Sequence, residues 1–226
     1  MYANFIFVII IAYLLGSIPF GVLIAKARGK DLRSIGSGNI GATNVARALG
    51  RKWAYLCFLL DVLKGLIPML AIMPFTKPLS SQSYAERIVL LWLWLAVGCA
   101  AILGHILPIY LKFRGGKGVA TSLGVALGLW PYYTICASFA IAIWAVVVLI
   151  WRYVSLASIT ASVAFPLLLI LAIILRPSWD FINLWPLLIA ATAIPLMVII
   201  RHRENIKRLL AGTESQVLKA KKPDNG

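Results

Sequence analysis

Apolar residues run almost unbroken through about 4–25, 53–75, 88–110, 119–130, 132–151, 154–175 and 181–200. A stretch of ~20 such residues, at ~1.5 Å rise each, matches the ~30 Å hydrocarbon core of a bilayer. In hydrocarbon every backbone N–H and C=O must find its partner inside the protein, which favours helices for segments of this length. With 62% hydrophobic residues and a mean hydropathy of +0.92, the chain lies far from the roughly half-apolar composition of soluble domains. The expectation is an all-α polytopic membrane protein, one domain over 1–226. The first stretch, Asn4 to Ala25, exceeds a signal-peptide core and has no basic run before it, so it reads as a retained span.

The region 119–151 decides the topology. As one helix its 33 residues would reach ~50 Å, too long for the core. Pro131, after Gly128 and Trp130, is a natural break. Splitting there gives seven spans with a short fourth of about twelve residues, which must pack inside the bundle or meet a thinned bilayer. Charge agrees. Segments 26–52, 112–117, 152 and 201–226 hold eighteen of the twenty-two Lys and Arg residues. Seven crossings put all four on one side, as the positive-inside rule requires, with the N-terminus outside and the C-terminus cytoplasmic. The net charge of +15 is therefore an orientation signal, and no nucleic-acid partner is implied. Cys57, Cys99 and Cys136 each lie in an apolar run and read as packing residues. The tail from about 212 to 226 is basic and is expected to be frayed.

Two polar runs interrupt this pattern. The first is Gly36-Ser37-Gly38-Asn39-Ile40-Gly41-Ala42-Thr43-Asn44-Val45-Ala46-Arg47. Its glycines permit tight turns with exposed amides, a concavity suited to anions. Ser37, Asn39, Thr43 and Asn44 add neutral hydrogen-bonding groups, and Arg47 adds a fork that matches phosphate. The glycine spacing also fits a dinucleotide fingerprint, but no strand precedes it, so that reading is rejected. The second run is Lys112-Phe113-Arg114-Gly115-Gly116-Lys117-Gly118. It leads into the fourth span, where free amides at a helix N-terminus would favour phosphate. It lacks the Walker A pattern.

Asp61 and Lys64 sit three residues apart within the second span, on one helix face. They read either as a structural ion pair or as the wall of a polar site. His105 ends the third span, and His202 lies at the mouth of the seventh, followed by Glu204 and Asn205. Ser155 and Ser158 follow Arg152 on the same side. No His, Cys and carboxylate group has metal-ligand spacing, so neither metal nor cofactor is expected. Basic glycine loops meeting acyl chains suit an enzyme with one phosphorylated and one lipid-like substrate. The alternative is a transporter for a phosphorylated small molecule, although transporters favour internal repeats and a midplane site.

The sequence resembles the bacterial acyl-phosphate:glycerol-3-phosphate acyltransferases, the PlsY family. The resemblance is carried by Gly16-Ser17-Ile18-Pro19-Phe20-Gly21, by the first polar run, and by Asp61-Val62-Leu63-Lys64-Gly65. It continues through Gly104-His105, Phe113 to Thr121, Tyr153 to Ser158 and Arg201 to Leu209. The stretch 76–87 and the tail after Glu214 look like additions. Neither histidine begins an H-x-x-x-x-D box, since positions 110 and 207 are Tyr110 and Lys207. The thioester-dependent acyltransferase signature is thus missing.

The resemblance implies transfer of a fatty acyl group from acyl phosphate to the sn-1 hydroxyl of glycerol 3-phosphate. The products would be lysophosphatidic acid and phosphate, at the first step of phospholipid synthesis in the bacterial plasma membrane. Implied partners are membrane lipid and the soluble enzyme that supplies acyl phosphate. Carried over residue by residue, Ser37, Arg47, His202 and Asn205 would be catalytic. Asn39, Thr43, Asn44, Lys112, Gly115, Gly116, Lys117 and Ser155 would bind substrate, while Asp61, Lys64 and Glu204 would be structural. No residue stands out as general base, which leaves the donor's own phosphate to accept the hydroxyl proton.

Overall fold

The computed structural model describes residues 2–76 and 83–217. The rest of the tail, and half of the polar stretch 76–87 read as an addition, lie outside the described residues. Among these residues the chain is helical: α1 (Tyr2–Ser17), α2 (Phe20–Lys26), α3 (Ala42–Leu49), α4 (Arg51–Ile72), α5 (Tyr84–Ile106), α6 (Val119–Gly128), α7 (Tyr132–Trp151), α8 (Val154–Leu175), α9 (Phe181–Arg201) and α10 (Arg203–Leu210). Six segments are long and apolar enough to cross a membrane, and α6 is a shorter apolar helix in the fourth place. Large apolar side chains such as Phe7, Leu149, Leu175 and Ile182 remain exposed, which is tolerable for surfaces that meet acyl chains rather than water.

The region 119–151 divides where proline predicts, with Pro131 at the N-cap of α7. The resulting α6 has only ten residues, ~15 Å of helix. It sits inside the bundle, where Gly65 of α4 faces the Thr121 carbonyl and Gly124 of α6 faces the Val62 carbonyl. Small residues at such crossings let helix backbones approach closely.

The first span differs from the uninterrupted helix expected. Pro19 has no N–H to continue the ladder, and the chain breaks at Ile18–Pro19 between α1 and α2. The Ile18 carbonyl freed there accepts a 3.0 Å hydrogen bond from Lys64 Nζ. Two cores result. The main one joins α1 and α4 to α9 around residues such as Phe5, Met69, Trp94, Leu129 and Leu187. A smaller one, Ala25, Leu32, Val45, Ala48 and Cys57, fixes α3 and the preceding loop against α2 and α4. Lys30 Nζ donates to the Ala48 carbonyl at 2.8 Å, satisfying the C-terminal end of α3.

Candidate active site

All four basic segments meet at one end of the bundle. Arg33 Nη2 donates to the Arg114 carbonyl at 2.9 Å, and Arg201 Nη2 donates to the Gly116 carbonyl at 3.1 Å. Lys117 Nζ donates to Asn205 Oδ1 at 2.5 Å, and Ser155 Oγ donates to Glu214 Oε1 at 2.9 Å. The shared side that charge counting requires is therefore built as direct contact.

Glu214 is the hub that sequence reasoning missed. The segment from 212 to 217 does not fray as expected: Glu214 is buried, and Val217 N–H bonds the Arg152 carbonyl at 2.8 Å. Besides Ser155, the Glu214 carboxylate accepts from Asn205 Nδ2 at 2.7 Å and from Arg208 Nε at 2.7 Å. Burial by itself would raise its pKa. The hydrogen bonds from Arg208, Asn205 and Ser155, with the Arg208 charge, hold it below the usual carboxylate value instead. Asn205 is thereby oriented, with its amide nitrogen on Glu214 and its oxygen toward Lys117. Glu204, the acid expected to be structural, is exposed and makes only long surface pairs with Arg203 and Lys207, which contribute little.

Lys117 sits in a half-buried cationic setting. Burial lowers its pKa to about 8; Glu214 opposes the shift, while Arg208, Arg47 and Arg201 add to it. His202 closes α9 and begins α10. Burial, reinforced by the Lys117 charge, pushes its pKa down to about 4. Its Nδ1 lies 2.8 Å from the Val198 carbonyl. A neutral ring in that position donates from Nδ1, leaving Nε2 as a hydrogen-bond acceptor.

The glycine loop differs from expectation. Gly115 N–H bonds the Ile106 carbonyl at 3.0 Å and Gly116 N–H bonds the His105 carbonyl at 3.1 Å. These amides are therefore committed to the end of α5 rather than offered to an anion. A side chain on Gly116 would run into the His105 ring. The glycines let the loop lie flush on α5, and the groups left for a ligand are the Lys117 ammonium and the uncapped first turn of α6. Lys112 is exposed, left-handed at φ 52°, and apart from the cavity lining.

Beneath the loop, Asp61, Lys64 and His105 are all buried. Lys64 Nζ lies 2.7 Å and His105 Nδ1 3.6 Å from Asp61 Oδ1. This is the ion-pair alternative of the sequence reading, with His105 as a third member. Removing one partner of such a group leaves a buried charge alone, at ~3–5 kcal/mol.

In the first loop, Asn44 is almost fully buried and turned inward. Its Nδ2 donates to the Leu32 and Ile35 carbonyls, and its Oδ1 accepts from Ser37 N–H, each at 3.0 Å. That pattern ties the loop together and leaves little for substrate. Asn39 Oδ1 accepts from Gly41 N–H at 2.9 Å. Thr43 and Arg47 are exposed, and the Arg47 charge reaches Lys117. Ser37, Gly38, Asn39 and Ile40 line a cavity of about 370 Å³ with Phe113, Gly115 and three arginines, Arg33, Arg114 and Arg201.

The glycerol-3-phosphate acyltransferase family profile matches residues 6–212. A glycerol-3-phosphate acyltransferase of Aquifex aeolicus is 46% identical over 92% of this chain and 97% of its own length. One of Geotalea daltonii is 47% identical over 93% and 96%. The crystal structure of PlsY (YgiH), an integral membrane glycerol 3-phosphate acyltransferase, superposes in its glycerol 3-phosphate form with a TM-score of 0.78. That chain is 45% identical, over 94% of this protein and 95% of its own length. Its lysophosphatidic acid form superposes with a TM-score of 0.75 at 44% identity, over the same shares. Agreement along nearly the whole sequence and the whole helical framework leads to one conclusion: the chain belongs to the glycerol-3-phosphate acyltransferase family.

Proposed function

We propose that this protein transfers a fatty acyl group from acyl phosphate to the sn-1 hydroxyl of glycerol 3-phosphate. The products are lysophosphatidic acid and inorganic phosphate, formed at the cytoplasmic face of a bacterial plasma membrane. The observation that carries this reading is the junction of Lys117 with Asn205, held by Glu214 and Ser155. It brings together a cation and one oriented amide, beside the neutral His202. Solved relatives in glycerol 3-phosphate and lysophosphatidic acid forms support the same pair of ligands.

An acyl phosphate is a mixed anhydride, so the donor arrives activated, and the site has to bring two anions together and steady the developing oxyanion. Lys117 and Arg47 hold the acceptor's phosphate by charge. His202 Nε2 accepts a hydrogen bond from the acceptor and orients it. With a pKa of about 4, His202 is a weak base at neutral pH. The hydroxyl oxygen attacks the carbonyl carbon, the C–O bond to phosphate breaks with its electron pair, and the proton ends on the departing phosphate.

The N-terminus lies outside and the C-terminal segment inside, supported by the meeting of all four basic segments at one end. A soluble enzyme supplies the donor from the cytosol. The test is detergent-solubilised full chain given acyl phosphate and glycerol 3-phosphate. Stoichiometric lysophosphatidic acid and phosphate are expected without any gradient. Absence of product, with gradient-dependent uptake of glycerol 3-phosphate in vesicles, would mark a transporter instead.

A further inference from the structure

Arg33, Arg114 and Arg201 come from three separate segments: the loop between α2 and α3, the loop before α6, and the end of α9. All three line the same 370 Å³ cavity. Arg33 is pinned through Nη2 to the Arg114 carbonyl and Arg201 through Nη2 to the Gly116 carbonyl, leaving the rest of each guanidinium fork uncommitted to those bonds. No carboxylate pairs with any of the three among the described residues. Asp31, the nearest acid in sequence, accepts from the Arg33 backbone N–H.

Three like charges gathered around one concavity repel one another and focus a positive field there. An anion bound between them relieves that repulsion, and guanidinium forks match phosphate oxygens two at a time. The lining is also apolar on part of its edge, through Ile40 and the exposed ring of Phe113. Charge beside an apolar edge fits a phosphate carried on an acyl chain better than a small hydrophilic anion. The cavity is distinct from the Lys117, Asn205, Glu214 and Ser155 network, none of which lines it. The two regions adjoin, because Arg201 lines the cavity and its charge also acts on Lys117.

We propose that the Arg33–Arg114–Arg201 cavity is a second anion site, which takes the phosphate end of the acyl donor and holds it as inorganic phosphate after transfer. The inference rests on the acyl-transfer reading and adds a division of labour: the Lys117 centre takes the acceptor's phosphate, and the arginine cavity takes the donor's. Ser37 lies on the cavity wall. When the carbonyl–phosphate bond breaks, its electron pair stays on a phosphate that the arginines already surround, so charge accumulates where three cations are fixed.

The test is steady-state kinetics on the full chain in detergent, with both substrates varied and inorganic phosphate added. In the unaltered protein, phosphate inhibits competitively against acyl phosphate and not against glycerol 3-phosphate. Arg33→Gln with Arg114→Gln, both at exposed positions, raises the KM for acyl phosphate and the inhibition constant for phosphate by about tenfold or more. The KM for glycerol 3-phosphate stays within about twofold. Arg33→Lys with Arg114→Lys restores part of the loss. A rise confined to the KM for glycerol 3-phosphate, or no change in either constant, overturns the inference while leaving acyl transfer intact. An unaltered protein that makes no product from the two substrates refutes the acyl-transfer reading itself.

Discussion

The His105 ring occupies the space that a side chain at Gly116 would need, and the His105 carbonyl accepts the Gly116 N–H. A residue buried in the third span thus fixes both the height and the angle of the loop that carries Lys117. Gly116→Ala is expected to force the loop off α5, an overpacking cost of ~1–3 kcal/mol, and to lower kcat/KM for glycerol 3-phosphate accordingly. Adding His105→Asn removes the far half of the ring while keeping a polar atom toward Asp61. Steady-state assays of the double variant should recover part of the loss, and a double variant no better than Gly116→Ala would show that the contact is not what sets the loop.

As the proposed holder of the acceptor's phosphate, Lys117 should give the acceptor step a pH dependence. Its pKa is lowered to about 8, so the ammonium is present below that pH and is lost as pH rises through it. In the free enzyme, kcat/KM for glycerol 3-phosphate should be flat below about 8 and fall about tenfold per pH unit above. Lys117→Arg should abolish that limb. Glu214→Gln should move it to lower pH, because the Glu214 charge favours the ammonium. Lys117→Ala should mainly raise the KM for glycerol 3-phosphate, and Arg47→Ala should reduce kcat as well. An alkaline limb unaltered in Lys117→Arg would assign it to another group.

The proposed topology puts the end where the basic segments meet in the cytoplasm. Reporter fusions after Arg152 and after Arg208 should both report the cytoplasm, because Ser155 and Arg208 converge on one carboxylate. Opposite sides at those two points would refute seven crossings.

Transfer should proceed without an acyl-enzyme. A covalent relay needs a nucleophile beside an activating base. Cys57 and Cys136 are buried, and His202 Nδ1 is directed to Val198. The variant with all three cysteines changed to alanine should keep most of its activity. Labelled acyl phosphate alone should leave no label on denatured protein; stoichiometric label at Ser37 would establish a relay.

The long helices were legible because hydrophobic length and proline placement are local properties. Pro131 divided its segment in sequence as it does in space, and the count of basic residues anticipated which loops share a side. Pro19 carries the same signal, but the apolar run continues through it and conceals the break. The short helices α3 and α10 were hidden inside runs dominated by glycine or charge. Within the site, Lys117, Asn205 and Ser155 stand out in their motifs and converge in space. Glu214 was not, because an acid in a basic tail has nothing beside it in sequence to show that it folds back onto α8. In sequence, Asn44 and the Gly115 and Gly116 amides look available to a ligand, and only the tertiary fold reveals that their hydrogen bonds turn inward. Arg33, Arg114 and Arg201 are separated by long stretches of chain, so no local pattern announces their meeting.

Glu214 follows every apolar helix in the order of synthesis, yet its carboxylate joins Ser155, Asn205 and Arg208. A chain ending at Arg208 would keep every apolar helix described here and lack the carboxylate that ties Ser155, Asn205 and Arg208 together. The helical framework and the network that orients Asn205 are thus carried by separate stretches of the chain.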